Sequence, residues 1–145
     1  MKIQNEINSL TEQCEKELLI FSSFKLIYTI LNKNDFVNKF KSLLRKGITI
    51  KILTDDIDEY LMSHIAQING TNKDNPMQFG YSNKLGEFNE FIMLSDNKYV
   101  LQIKYDQQNE IVASFSNEEH SVTIQEILFE KYWNEVNTLT GINNN

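Results

Sequence analysis

Apolar residues recur along this chain with two different periods, one typical of helices and one typical of strands. Over residues 1–16 they are spaced by four, three and four positions, which predicts an amphipathic helix. Residues 18–21 form a continuous apolar run, and segment 48–53 alternates between apolar and polar side chains up to residue 52 and ends in a second apolar residue. Both patterns predict strands that are buried in a sheet.

A helix is expected to connect these two strands. Segment 36–45 carries its apolar residues on one helical face, Asp35 is a candidate N-cap, and Gly47 stands where a left-handed C-cap belongs. Residues 24–31 are apolar and fit a further short helix. Strand, helix and strand in this order predict a βαβ unit, whose strands pair in parallel through a right-handed crossover.

The second half of the chain predicts another helix, a short strand, a group of adjacent strands and a closing helix. Residues 58–69 have helical spacing, and residues 77–81 form a short strand. Segment 89–117 predicts two or three adjacent strands joined by tight polar turns. Residues 118–139 again have helical spacing. The polar segment 70–76 is the one that we expect to be a mobile surface loop.

Together these elements predict a single α/β domain at residues 17–145, with a mixed sheet flanked by helices, preceded by the helix of residues 1–16. That N-terminal helix has two interpretations. It can pack on its own domain as an ordinary amphipathic helix, or its coiled-coil spacing can serve a connecting or dimerising helix. The candidate residues of this N-terminal seam are Ile3, Ile7, Leu10 and Cys14.

Composition and charge narrow the classes of function. The chain has 145 residues, of which 41% are hydrophobic, as expected for one folded domain. Its net charge is −6, and its densest basic stretch is short, so we expect no nucleic acid partner for this chain. That stretch comprises Lys39, Lys41, Arg45 and Lys46. We also expect no membrane segment within the chain. The single cysteine, Cys14, fits a reducing compartment, and we therefore expect a cytoplasmic protein.

Segment 89–117 also holds Asn89, Phe91 and Asp96, which are the first, third and eighth residues counted from Asn89. Ser116 and Asn117 follow downstream. This frame resembles that of the phospholipase D superfamily, whose signature is His, any residue, Lys, four residues and Asp. A Gly/Ser-Ser-x-Asn segment follows in that superfamily, and this chain has Ser114-Phe115-Ser116-Asn117 there. The order of the elements from residue 17 onward is similar as well. The resemblance implies a phospholipase D-like domain, and Asn89 and Phe91 replace the nucleophile and the phosphate-binding lysine.

Two groups of proteins share this resemblance. The segments around Tyr81-Ser82-Asn83-Lys84 and residues 115–122 look similar to the sensor regions of histidine kinases and signalling proteins of ammonia-oxidising archaea. A second similarity is to the effector-binding domain of archaeal sugar-responsive transcription regulators. The replaced His and Lys imply that the chain is not an enzyme. We expect neither a cofactor nor a resident metal ion.

Polar residues at strand ends are the candidates for a binding site. Ligands on open α/β sheets bind beyond the carboxyl ends of parallel strands, and we expect a neutral, hydroxyl- and amide-rich rim to take a small polar ligand. The same residues can instead satisfy turns and loop backbone. The candidates are Ser22, Ser23, Thr54, Asp55, Tyr81, Ser82, Asn83, Asn89, Ser116 and Asn117.

These observations favour a non-catalytic sensory domain of an archaeal signalling protein, associated with a histidine kinase. Its partner is then a small polar ligand or a signalling protein, and we expect a homodimer. The alternatives are a dimerisation or protein-interaction module without a small ligand, and the effector domain of a transcription regulator.

Overall fold

A mixed sheet of six strands lies between two layers of helices in a computed structural model, which describes residues 2–31, 36–56 and 59–140. The α-helices are α1 (Lys2–Gln13), α2 (Phe24–Leu31), α3 (Phe36–Arg45), α4 (Glu59–Gly70) and α5 (Glu119–Thr140). The strands are β1 (Glu17–Phe21), β2 (Thr49–Thr54), β3 (Gln78–Tyr81), β4 (Glu90–Ser95), β5 (Tyr99–Tyr105) and β6 (Ile111–Ser116). A short 3₁₀ helix spans Asn83–Glu87.

The strand order is β3-β2-β1-β4-β5-β6, and it divides the sheet into a parallel and an antiparallel half. β1, β2 and β3 run in parallel, which confirms the predicted βαβ unit. β4, β5 and β6 form an antiparallel meander, and β4 pairs with β1. The carboxyl ends of β1–β3 therefore lie at the same end of the sheet as the start of β4 and the turn between β5 and β6. We call this the carboxyl end of the sheet and the other the amino end.

Each face of the sheet covers its own hydrophobic core. Alternate side chains of β1 point to opposite faces, so Leu18 and Ile20 join one core while Leu19 and Phe21 join the other. The first core is closed by residues from α1, α2, α3 and α4. The second is closed by α5 and by Leu85 of the 3₁₀ helix. Among the described residues, no helix combines the length and the apolar composition that a membrane span requires.

The N-terminal helix packs against its own domain. Ile7 and Leu10 of α1 have exposed fractions of 2% and 0%, and both belong to the first core together with Cys14. This arrangement corresponds to the ordinary amphipathic helix among the two interpretations, because side chains enclosed within their own domain cannot also form an exposed seam. The side chain of Ile3 lies outside the described residues, as do the candidate cap Asp35 and the predicted start of α4 at residue 58.

Asparagine side chains in the polar segment 70–76 form hydrogen bonds with neighbouring elements. The Asn75 side-chain amide donates to the carbonyls of Leu44 at 3.1 Å and Ile48 at 3.0 Å, and so ties the segment to the end of α3 and the start of β2. Asn72 is buried and donates to Ile68 at 2.9 Å. The carbonyls of Leu44 and Ile68 lie in the last turns of α3 and α4, where a helix leaves acceptors open. The mobility of the segment stays a prediction.

Candidate functional site

A cleft of about 720 Å³ opens at the carboxyl end of the sheet, where the parallel and antiparallel halves meet. It lies within the range of about 300–1,000 Å³ that is common for small-molecule sites. Residues from α2 and the position before it, the end of β2, the 3₁₀ helix, the residue before β4 and the β5–β6 turn contribute to its wall. They are Ser23, Lys25, Leu26, Thr29, Asp55, Gly86, Asn89, Tyr105, Asp106 and Asn109.

Three of the predicted site residues, Ser23, Asp55 and Asn89, come together in this cleft. Ser23 precedes α2, and its carbonyl accepts the Ile27 N–H at 3.1 Å. The Asp55 carboxylate accepts the Phe24 N–H at 2.6 Å, so the carboxylate that follows β2 caps the helix that follows β1. Asn89 is exposed immediately before β4. The sheet topology thus brings three separate strand ends to one wall.

Other predicted residues at this end hold the backbone together instead. Ser22 is fully buried, and its hydroxyl donates to the Glu90 carbonyl at 2.7 Å, across the junction of β1 and β4. Thr54 is buried too, and its carbonyl accepts the Ser82 N–H at 2.8 Å. The Ser82 hydroxyl caps the 3₁₀ helix by accepting the Lys84 N–H. These contacts match the alternative reading, in which strand-end polar residues satisfy turns.

The remaining candidates do not line the cleft. Tyr81 is half exposed at the end of β3, and Asn83 is exposed at the start of the 3₁₀ helix. Ser116 and Asn117 lie at the amino end of the sheet, where the Ser116 hydroxyl accepts the Glu118 N–H at 3.0 Å. Asn117 belongs there to a shallow depression that it shares with Asn97 and other neighbours. The sequence predicted that Ser116 and Asn117 share a site with Asn89, but the length of the sheet separates them from it.

The residues of the signature frame are dispersed in the same way. Asn89 lies before β4 and Asp96 after it, which separates them by about 23 Å at the rise of about 3.3 Å per residue of a strand. Phe91 is completely buried in the first core. Because one of the three residues is a core side chain and the other two are at opposite ends of the sheet, they form no common site.

Asp96 has a structural role that explains its position. Its carboxylate accepts the N–H groups of Glu15 at 2.8 Å, Lys16 at 2.8 Å and Glu17 at 2.9 Å, and its own N–H donates to the Glu17 carbonyl. Partial burial acts to raise the pKa of Asp96, but the three N–H donors and the Cys14 thiol outweigh it and lower the pKa below 3.8. The residue fastens the α1–β1 connection to the β4–β5 turn.

Several cleft residues were missed at the level of sequence. Lys25 and Thr29 belong to α2, whose position over the sheet does not follow from its periodicity. Tyr105, Asp106 and Asn109 belong to the β5–β6 turn. The sequence shows that these residues form a polar turn. The turn indicates a binding site only once β5 is known to end, like β1, at the carboxyl end of the sheet.

The cleft is polar and carries charges of both signs. Lys25 supplies a cation, and Asp55 and Asp106 supply carboxylates. Both carboxylates are engaged, since Asp106 accepts the N–H groups of Gln108 and Glu110 at 2.9 Å each and Asp55 caps α2. The amide and hydroxyl groups of Asn89, Asn109 and the other lining residues provide hydrogen-bond donors and acceptors. Such a wall can orient a small polar molecule through several directional bonds.

Comparison with known proteins gives a structural neighbour. No family model matches the chain. No curated protein matches it either. Among 17 matching chains of solved structures is TrmBL2, an archaeal chromatin protein with a novel mode of DNA binding. The TM-score is 0.68 at 14% sequence identity, and the match covers 92% of this chain and 49% of TrmBL2. The likeness shows a shared fold, and this chain spans about half the length of that neighbour.

These findings correct the resemblance drawn from the sequence. The assignment to a phospholipase D-like domain, and to sensor regions of histidine kinases of ammonia-oxidising archaea, was wrong: the neighbour is a chromatin protein. The frame of Asn89, Phe91 and Asp96 misled because spacing alone does not bring residues into one site.

The exclusion of nucleic acid was also wrong as an inference. It rested on the net charge of −6, yet the fold occurs in TrmBL2, which binds DNA. Net charge describes the whole chain, whereas phosphate contacts depend on where the basic residues are concentrated and on the other parts of a protein.

Proposed function

We propose that this chain is a non-catalytic regulatory domain of an archaeal DNA-associated protein of the transcription-regulator class, with a small polar effector bound in the cleft. The observation that carries the proposal is the cleft itself. It lies where β1 has a parallel neighbour on one side and an antiparallel neighbour on the other. The strand order also reverses there, from β3-β2-β1 to β4-β5-β6, and ligand crevices form at such a switch point.

The likeness to TrmBL2 supports the DNA-associated class rather than a kinase. That protein is an archaeal chromatin protein, and a fold like that of this chain makes up about half of it. A regulatory role for such a domain requires an input that changes its stability or shape. A ligand bound in the cleft would be that input. The cleft wall is built from α2, the segment before β4 and the β5–β6 turn, and a ligand would hold these segments together.

The side chains at hand support binding without chemistry. Among the described residues that line the cleft, none is a histidine or a cysteine. The Cys14 thiol lies at the amino end of the sheet, where it donates to the Glu17 carbonyl and contacts Asp96. Burial raises the pKa of this thiol, which disfavours the nucleophilic thiolate. The cleft therefore serves recognition of a ligand.

A thermal-shift screen against small polar molecules tests the cleft. The panel contains sugars, polyols, amino acids and nucleosides. A ligand at about 100 times its dissociation constant adds about 2.7 kcal/mol to the free energy of unfolding. Asn89→Ala should raise the dissociation constant of the ligand at least tenfold, because Asn89 lines the cleft. The substitution should leave the core intact, because Asn89 is exposed.

Asn117→Ala is the matched control, since Asn117 is also an exposed asparagine but lies at the opposite end of the sheet. It should leave ligand binding unchanged. A ligand whose binding responds to Asn117→Ala and not to Asn89→Ala would contradict binding in the cleft.

The DNA-associated class is tested by cell fractionation: the protein should sediment with chromatin and be released by nuclease. Equal recovery with and without nuclease would contradict that part.

A further inference from the structure

β6 is an edge strand without the usual protection. It is the outermost strand of the antiparallel half, and its far edge has no partner among the described residues. Its six residues, Ile-Val-Ala-Ser-Phe-Ser, include no charge, proline or glycine. Natural edge strands commonly carry lysine, proline or a bulge, which prevents pairing with another chain. The other edge strand, β3, is shorter, at four residues, and contains Gly80.

The free edge presents the backbone groups of alternate residues. The Asp106 N–H donates to the Glu110 carbonyl at 2.8 Å at the turn that leads into β6. Hydrogen-bonded and non-bonded pairs alternate along an antiparallel ladder, so Val112, Ser114 and Ser116 bond to β5. The N–H and C=O groups that point away from the sheet are consequently those of Ile111, Ala113 and Phe115.

These residues also carry an apolar band along the edge. Ile111 and Phe115 are 46% and 43% exposed although they are large and apolar. Both point to the same face as Ala113 because every second residue of a strand does so. Behind them on β5, Tyr105 is the cross-strand partner of Ile111, and Tyr99 stacks on Phe115 with ring centroids 5.7 Å apart.

We propose that β6 pairs in antiparallel fashion with β6 of a second copy of this chain, about a twofold axis through Ala113. In this register Ile111 of each copy lies opposite Phe115 of the other. The two cross-strand pairs of an aromatic and a β-branched residue are of a favourable kind. The free N–H and C=O groups of Ile111, Ala113 and Phe115 bond to one another across the axis, and the sheet continues through both copies.

The lack of charge on β6 allows a second copy of the chain to occupy this edge. Two chains of net charge −6 repel each other over most of their surface, but β6 is uncharged, and Glu110 just before it falls opposite Ser116 in the symmetric register. The strand therefore meets its own copy without an acid directly facing an acid. This inference is independent of the effector proposed for the cleft, because no residue of β6 lines the cleft.

Measurement of the molar mass in solution tests the proposal. Light scattering and sedimentation of the whole chain, from about 1 μM to about 1 mM, should show a species of twice the monomer mass of 17.0 kDa. The double variant Ile111→Lys, Phe115→Lys should raise the dimer dissociation constant at least a hundredfold, because it sets lysines opposite each other. A wild-type chain that stays monomeric throughout overturns the proposal.

The matched control is the double variant Ile124→Lys, Ile127→Lys on α5. These isoleucines are 49% and 64% exposed, so they are large apolar residues at least as exposed as the β6 pair, but they lie away from the edge. The control should keep the dissociation constant within about a factor of three of the wild type. Dissociation equal to that of the β6 variant would show that general hydrophobicity holds the copies together and would contradict strand pairing.

Cysteine cross-linking tests the register independently of any loss of folding. Ala113→Cys in a Cys14→Ser background puts two cysteines across the axis, in a bonded pair with about 5.5 Å between Cα atoms, which a disulfide can bridge. Mild oxidation should give a covalent dimer. Ser114→Cys in the same background is the comparison, because Ser114 faces Val112 of the second copy and should cross-link at least tenfold more slowly. Equal rates, or no cross-link at position 113, would overturn the register.

Discussion

At the scale of single residues, the same side chain chemistry serves both the cleft and the scaffold, and only its surroundings tell the two apart. Asp55 follows β2 and faces the cleft, whereas Asp96 follows β4 and is closed in by backbone amides. Both are aspartates after an apolar strand. Asp96 also has a positive φ of 56°, a conformation in which Asp and Asn are the best-tolerated residues after glycine.

Asp96→Asn should destabilise the protein by about 2 kcal/mol. The substitution keeps the left-handed backbone, but an amide nitrogen replaces one of the carboxylate oxygens that accept N–H groups of residues 15–17. Urea denaturation measures the loss. Asp74→Asn, at an exposed position of segment 70–76, is the control and should change the free energy of unfolding by less than about 0.5 kcal/mol.

The difference between the wild type and Asp96→Asn should depend on pH in a defined direction. The pKa of Asp96 is lowered in the folded protein, so its contribution is present above the ordinary value of 3.8 and is lost as the pH falls through the lowered folded value. The two urea curves should therefore be well separated at neutral pH and should converge below pH 3.8. A separation that persists undiminished at the lowest pH would show that the carboxylate charge is not the cause.

At the scale of elements, packing between α5 and the parallel half of the sheet depends on a missing side chain. Trp133 of α5 lies against Gly80 of β3, where a Cβ atom would come within 2.8 Å of the indole ring and 3.0 Å of Leu53. The Lys51 ammonium group lies 5.5 Å from the centroid of the indole on the same surface. Glycine in a strand is ordinarily unfavourable, and here it permits the close approach of a helix.

Gly80→Ala should therefore destabilise the protein by about 2 kcal/mol through overpacking. Gly70→Ala is the matched control, because the space around Gly70 is open and this residue ends α4 without a positive φ. It should be neutral or stabilise the protein by up to about 1 kcal/mol, since alanine lowers the entropy of the unfolded chain. Thermal unfolding of both variants measures the contrast, and equal effects would argue against the Trp133 contact.

At the scale of the whole molecule, topology determines which chemistry can act together. The antiparallel half returns the β5–β6 turn to the end of the sheet where the parallel strands finish, and so Asn109 joins Ser23 and Asp55 in one wall. The same topology sends Ser116 and Asn117 to the other end. It also leaves β6 at the margin of the sheet with an unpaired edge, which is the basis of the proposed assembly of two copies.

The sequence by itself determined the elements, because helical and strand periods are local properties. The bounds of α3 matched the prediction, and Gly47, predicted as its left-handed cap, has a φ of 85°. The parallel βαβ unit followed from the order of elements and the handedness of such connections. The predicted strand ends at Ser23 and Asp55 also reached the cleft, since both belong to that unit.

Only the tertiary structure decided which of the polar strand ends meet. Asp96 binds backbone groups 79–81 residues away, and nothing in its neighbourhood in the sequence marks that partner. Phe91 could be recognised as apolar but not as a residue of the first core. The separation of Asn89 from Ser116 and Asn117, and the free edge of β6, follow from the direction and order of three antiparallel strands. Strand order results from long-range packing of both sheet faces, and a period of two residues carries no information about it.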